Sequence, residues 1–287
     1  MADLTHSQLQ SVFPDATELE APDSRAAIFR AGLRSIRTDQ LTWVLLYVAG
    51  QVVAPLVLMA AGYPTAAVLT AAALILVPVV VIAVLFHRAT STFWDTYAAA
   101  RGLSHEKNGR YTSDVPLLRK GDRRSFPHVL SGTIGGVAAR LMHYQYTETS
   151  GSGEDQSEST YRFTLVQFNL PAAVARRYVG VYLRPKSISF GRLQDRLAHD
   201  RGITLASTEF NSEYSLRVDN DQDDIALYEL FSTTFVDQLI REFRATWEQR
   251  GDDLVVFERG HVTDAARLDD LCLRAARVLQ RYLEEHQ

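Results

Sequence analysis

The chain has 287 residues, 46% hydrophobic and 22% charged, with 30 basic against 34 acidic side chains and a formal charge of -4. This composition excludes a disordered or collagen-like chain, and the acidic balance argues against a surface built to neutralise nucleic-acid phosphates. One cysteine, Cys272, rules out an intrachain disulfide and any CxxC redox or zinc motif, as expected of a reducing compartment.

Residues 1–22 are rich in Ser, Thr, Asp and Glu with few large apolar groups, and are expected to form a flexible tail. From Asp23, a suitable N-cap, Ile28, Phe29, Leu33 and Ile36 recur at helical spacing, so 23–40 reads as an amphipathic juxtamembrane helix. The 46 residues from Leu41 to Phe86 contain no Asp, Glu, Lys, Arg or His. That is about twice the ~20 residues a transmembrane helix needs. Gly62, Tyr63 and Pro64 divide the block, which predicts a hairpin of two transmembrane helices over 41–86. Arg25, Arg30, Arg34 and Arg37 precede it, His87, Arg88 and Arg101 follow it, and the connection is uncharged. The positive-inside rule then predicts a bacterial plasma-membrane protein with both termini cytoplasmic. Gln51 is the one strongly polar side chain in the block, so transport by these helices alone is not expected. Residues 87–103 continue as a helical stalk ending at Gly102, a natural C-terminal cap.

Residues 104–287 read as a cytoplasmic domain. Between 87 and 124 there are eight Arg or Lys against four Asp or Glu, densest at Arg119, Lys120, Arg123 and Arg124. Beside a membrane such a patch would face anionic lipid, each charge contributing ~1 kcal/mol, while a solvated loop explains it equally well. His128–Ile134 and Val137–Glu148 flank Gly135 and Gly136 as a hairpin, 149–159 is a polar loop, and strands follow at 161–166 and 178–183. Further on, the pattern predicts a helix over Phe190–His199, a strand over Glu213–Asp219 and a long helix over Asp224–Trp247. A strand over Leu254–Glu258 and a terminal helix over Asp264–Glu285 complete it. The expected fold is a membrane helical hairpin plus an α+β domain with a mainly antiparallel sheet.

Gly132 and Gly136, Tyr144 and Tyr146, Phe210 with Asn211, and Val218, Asp221, Ala226, Leu230 and Leu239 carry a resemblance. In these positions and in element order the chain resembles an uncharacterised bacterial family, frequent in actinobacteria, with two N-terminal spans and a cytoplasmic domain of unknown function. The family tends to have a proline after the Phe-Asn pair, where Thr233 and Thr234 stand here. The resemblance implies architecture and no reaction.

Asp219, Asp221, Asp223 and Asp224 begin like a calcium loop, but Asp224 stands where Gly is required and Leu230 where Glu is required, and aspartates before a helix are natural caps. The eight histidines match no ligand spacing, and no Ser lies in GxSxG. His199 beside Asp200 is the best isolated acid-base pair, and Cys272 adjoins an apolar helix stripe as a packed residue. No catalytic residue, metal site or cofactor is therefore expected. The leading expectation is a membrane-anchored interaction or regulatory module. Its partners would be the bilayer, anionic lipids as a candidate, and a protein of unknown identity, with no nucleic acid. A lipid-modifying or hydrolytic enzyme with a site assembled from distant residues and an accessory subunit of a membrane complex are the alternatives.

Overall fold

The computed structural model describes residues 6–16, 27–28, 54–66, 68, 90–151, 156–187 and 200–284. The chain divides into two compact units, Met1–Ala21 with Tyr97–Gln287, and Pro22–Thr96.

In the unit Pro22–Thr96, residues 54–60 and 64–66 are helical, separated by a turn in which Gly62 takes a φ of 84°. Among the described residues no helix is long and apolar enough to cross a membrane. This overturns the expected transmembrane hairpin, and with it the multi-pass plasma-membrane placement with cytoplasmic termini. The remaining residues of the uncharged block, like most of the expected juxtamembrane helix, lie outside the described residues.

The other unit is built on an antiparallel sheet. In chain order its elements are α1 (His6–Val12), β1 (Ser104–Gly109), a 3-10 turn (Pro116–Arg119), β2 (Arg123–Ile134), β3 (Val137–Ser150) and β4 (Ser157–Asn169). They continue with α2 (Ala172–Arg177), β5 (Gly180–Pro185), β6 (Asp200–Ile203), α3 (Thr208–Glu213), β7 (Tyr214–Asp219) and α4 (Asp224–Leu230). Last come α5 (Thr233–Arg241), β8 (Trp247–Arg250), β9 (Asp253–Arg259) and α6 (Ala265–Glu284). The described strands run β1-β2-β3-β4-β9-β8-β5-β7-β6, every pairing antiparallel.

The sheet answers to its sequence. Gly135 and Gly136, at φ 61° and 80°, close the two-residue β2–β3 turn that needs positive φ at both positions. Period-2 alternation sends Tyr144, Phe163, Leu165, Val255 and Phe257 to one face, where they form a core with Val115, Leu117, Leu118, Phe126, Val129, Met142 and Tyr146. α6 lies along β4 and β9, and Tyr282 accepts a hydrogen bond from the indole N–H of Trp247 at 3.1 Å. Its buried stripe of Leu268, Leu271, Cys272, Ala275, Val278 and Leu279 recurs at helical spacing. Within the stretch expected as a tail, α1 packs against α6, and the Val12 carbonyl accepts from Gly135 N–H at 2.8 Å.

Two expected elements are redrawn. Asp224–Trp247 is not one helix: α4 ends at Leu230, Ser232 caps α5 by accepting from Phe235 N–H, and Trp247 starts β8. β2 begins at Arg123, five residues before the expected strand, and pairs with β1, whose sequence SHEKNG shows no apolar alternation. The expected helix over Phe190–His199 lies outside the described residues apart from its flank at Asp200, which belongs to β6.

Candidate functional site

The four basic residues marked by the sequence make different contacts. Arg119 pairs with Asp114 at 3.2 Å, and Arg123 pairs with Glu158 across from β2. Lys120 contributes its backbone carbonyl to the Tyr144 hydroxyl. Arg124 donates to the Leu118 carbonyl at 3.2 Å and has no carboxylate partner among the described residues.

Arg124 instead lines a cavity of ≈ 410 Å³ with Asn108, Arg110, Tyr111, Ser113 and Phe126 among its walls. The cavity forms where the chain leaves edge strand β1, crosses the sheet and enters β2. Asn108 makes the corner in the left-handed region, φ 53°, which asparagine tolerates better than most residues. The crossing segment is pinned in three places. Glu248 accepts from Leu117 N–H at 2.7 Å, the Tyr144 hydroxyl donates to the Leu117 carbonyl at 3.1 Å, and Val115, Leu117 and Leu118 are buried. On the far wall the β2–β3 register shifts between Ser125 and His128, a bulge at Pro127 beside Ser125 and Phe126.

The cavity lip is tied to the middle of the sheet through Asp253. Its carboxylate accepts from the Tyr111 hydroxyl at 2.6 Å, the Ser113 hydroxyl at 2.5 Å and the Gln167 amide at 2.9 Å. Three neutral donors thus hold a carboxylate that is only 9% exposed. The Tyr111 ring meets Phe126 edge-on at 6.0 Å, and the Arg140 guanidinium stacks over it at 5.3 Å. Burial, reinforced by the hydrogen bond to Asp253, pushes the Tyr111 phenol well above its ordinary range. It remains a neutral donor at physiological pH and cannot serve as a base. Arg110 is exposed and, like Arg124, has no carboxylate partner among the described residues. No Asp or Glu among the described residues lines the cavity.

Elsewhere the acids perform structural work. Asp219 accepts from the Tyr182 hydroxyl at 2.8 Å, Asp223 caps α4 through Ala226 N–H at 3.0 Å, and Asp224 pairs with Arg201 at 2.5 Å. The capping explanation of the aspartate cluster therefore holds for Asp223. Among the described residues no group of three or more His, Cys, Asp or Glu is arranged to hold a metal ion. Asp200 makes a two-point pair with Arg217, both contacts at 2.7 Å, while His199 lies outside the described residues. His143 and His261 stack at 4.2 Å and each bonds a backbone carbonyl, of Val262 and Tyr144 respectively. Cys272 is fully buried, as its place beside the apolar stripe implies.

No family model and no curated protein matches the chain. Among solved structures it is similar to the crystal structure of the mycobacterial trehalose monomycolate transport factor A, TtfA, with a TM-score of 0.47 and 14% identity, over 69% of this chain and 96% of that one. At this level of likeness the ligand question rests on the chain's own geometry.

Arg124 is the one residue shared by the sequence-marked patch and the cavity lining. Sequence reading misses Arg110, Tyr111 and Asp253. A lone aromatic inside the polar run KNGRYTSD is the signal available, since an isolated ring in such a run must pack on something. Asp253 has no such signal, because nothing in its neighbours shows that three donors converge on it.

Proposed function

We propose that this chain is a non-catalytic binding module whose site is the cavity between β1, the crossing segment and β2, and that it takes an anionic group. One observation carries the reading: Arg110 and Arg124 flank a cavity without a carboxylate partner among the described residues, whereas Arg119 and Arg123 nearby are paired. The volume lies within the range of ordinary ligand pockets. Guanidinium groups with unspent N–H donors are the strongest anion receptors a protein surface offers. Asp219, Asp223, Asp224 and Asp200 are engaged with Tyr, backbone or Arg partners, which supports binding over chemistry at those acids.

The test is the melting temperature of the full chain in matched concentrations of phosphate, sulfate, malonate and chloride. A ligand at a hundred times its Kd stabilises by about 2.7 kcal/mol, so a multivalent anion raises the melting temperature above the chloride value. The rise disappears in the Arg110→Gln/Arg124→Gln double variant. If no anion exceeds chloride, or if the double variant responds like the parent, the reading is wrong.

A further inference from the structure

Resting on that reading, we infer that the group taken by the cavity is a phosphate monoester carried on an apolar body. Charge comes first. Arg110 and Arg124 supply two positive charges, and no carboxylate among the described residues lines the cavity. A phosphate monoester carries about -1.5 to -2 at neutral pH and balances both guanidinium groups, whereas a single carboxylate leaves one uncompensated.

Donor count points the same way. Each guanidinium has five N–H groups, and Arg124 spends one on the Leu118 carbonyl. The hydroxyls of Thr112 and Ser125 and the amide of Asn108 add to them. The Tyr111 and Ser113 hydroxyls are already committed to Asp253 and are not counted among these donors. A tetrahedral oxyanion with three terminal oxygens suits so many donors better than a planar carboxylate with two. Among the remaining walls Leu118 and Phe126 are buried, and the half-buried Tyr111 ring gives the apolar surface for whatever carries the phosphate.

Phosphate of this kind can belong to a free molecule or to a lipid headgroup, and the experiment separates them. Full-chain protein is titrated calorimetrically with phenyl phosphate, inorganic phosphate and benzoate. In parallel it is sedimented with phosphatidylcholine vesicles that contain or lack phosphatidic acid. Phenyl phosphate is expected to bind about tenfold or more tightly than benzoate, and more tightly than inorganic phosphate, which lacks the apolar body. Arg110→Gln and Arg124→Gln each weaken it about tenfold or more in chains that still unfold cooperatively, while Arg119→Gln and Arg123→Gln leave it unaltered. Sedimentation with phosphatidic acid vesicles that phenyl phosphate competes away assigns the headgroup, and no sedimentation assigns a free phosphorylated molecule. Benzoate binding as well as phenyl phosphate, through the same two arginines, overturns the phosphate inference and leaves the anion site standing. If none of the three binds, both fall.

Discussion

Arg101 and Asp269 form a two-point ion pair closed to solvent, with Nε to Oδ1 at 3.0 Å, Nη2 to Oδ2 at 2.7 Å and side chains 0% and 3% exposed. The Tyr97 hydroxyl donates to the same Oδ1 at 2.9 Å, and the Phe13 ring lies 5.7 Å from the guanidinium carbon. The pair therefore joins the start of the sheet unit, α6 and the residue following α1. Removing one partner strands a buried charge, so Arg101→Met is expected to cost about 3–5 kcal/mol in urea unfolding. Arg101→Met with Asp269→Leu should recover most of that loss, because well-packed apolar replacements of a buried pair come close to neutral. A double variant as unstable as the single one would show that the contact is held by packing geometry instead of charge.

Gly102 and Gly136 separate two costs that a glycine can hide. Gly102 closes a Schellman cap, with Leu103 N–H on Ala98 O at 2.8 Å and Gly102 N–H on Ala99 O at 3.3 Å, at φ 68°. A Cβ there would lie 2.3 Å from the Asp15 carbonyl oxygen. At Gly136, φ is 80° and nothing lies within 4 Å of the added carbon. Gly136→Ala should cost about 1 kcal/mol from the backbone alone. Gly102→Ala should cost clearly more, since the obstructing atom is backbone and cannot swing aside. Equal losses in melting experiments would show that the Asp15 contact relaxes freely.

Ser232 interrupts what apolar spacing presents as one helix. Its side chain accepts from Phe235 N–H at 3.4 Å, and Phe231 N–H still bonds Leu227 O at 2.9 Å as α4 closes. Ser232→Ala is expected to cost about 1 kcal/mol, and Ser232→Asp to retain the cap. Chemical denaturation of the two variants checks the order, and an Ala variant as stable as the parent would remove the cap as the reason for the break.

The same region shows what was legible in the sequence. Alternation in β3 and β4, the Gly135-Gly136 turn and the α6 stripe each carry a local signal that matches their tertiary role. The break at Ser232 was hidden because Leu227, Leu230, Phe235 and Leu239 keep plausible helical spacing on both sides. β1 was hidden because an edge strand with five partly or fully exposed residues needs no apolar alternation. An uncharged run is the usual sign of a membrane span, yet no membrane-spanning helix is found among the described residues. Basic density marked Arg124 but could not show that Asp114 and Glu158 pair with Arg119 and Arg123, nor that Arg110 completes the cavity. Pairing is a property of register, which composition does not contain.

Alkaline pH should loosen the fold in a defined order, beginning with Cys272. Burial, then the negative charge of Asp269, holds its thiol well above the ordinary 9.0. Burial likewise raises the phenols of Tyr97, Tyr111, Tyr182 and Tyr282 above 10.0. In the unfolded chain these groups lose protons at ordinary values, while the folded chain keeps them. Above about pH 9 the unfolded state therefore binds fewer protons, and stability, complete below that value, falls as pH rises. Each group contributes a slope of at most ~1.4 kcal/mol per pH unit. Cys272→Ala should remove the earliest part of the decline and leave the later part, owed to the tyrosines. Urea midpoints measured at intervals from about pH 7 to 11 give the comparison. If the parent and the Cys272→Ala curves run parallel throughout, the buried thiol does not set the alkaline limit, and the tyrosines alone account for it.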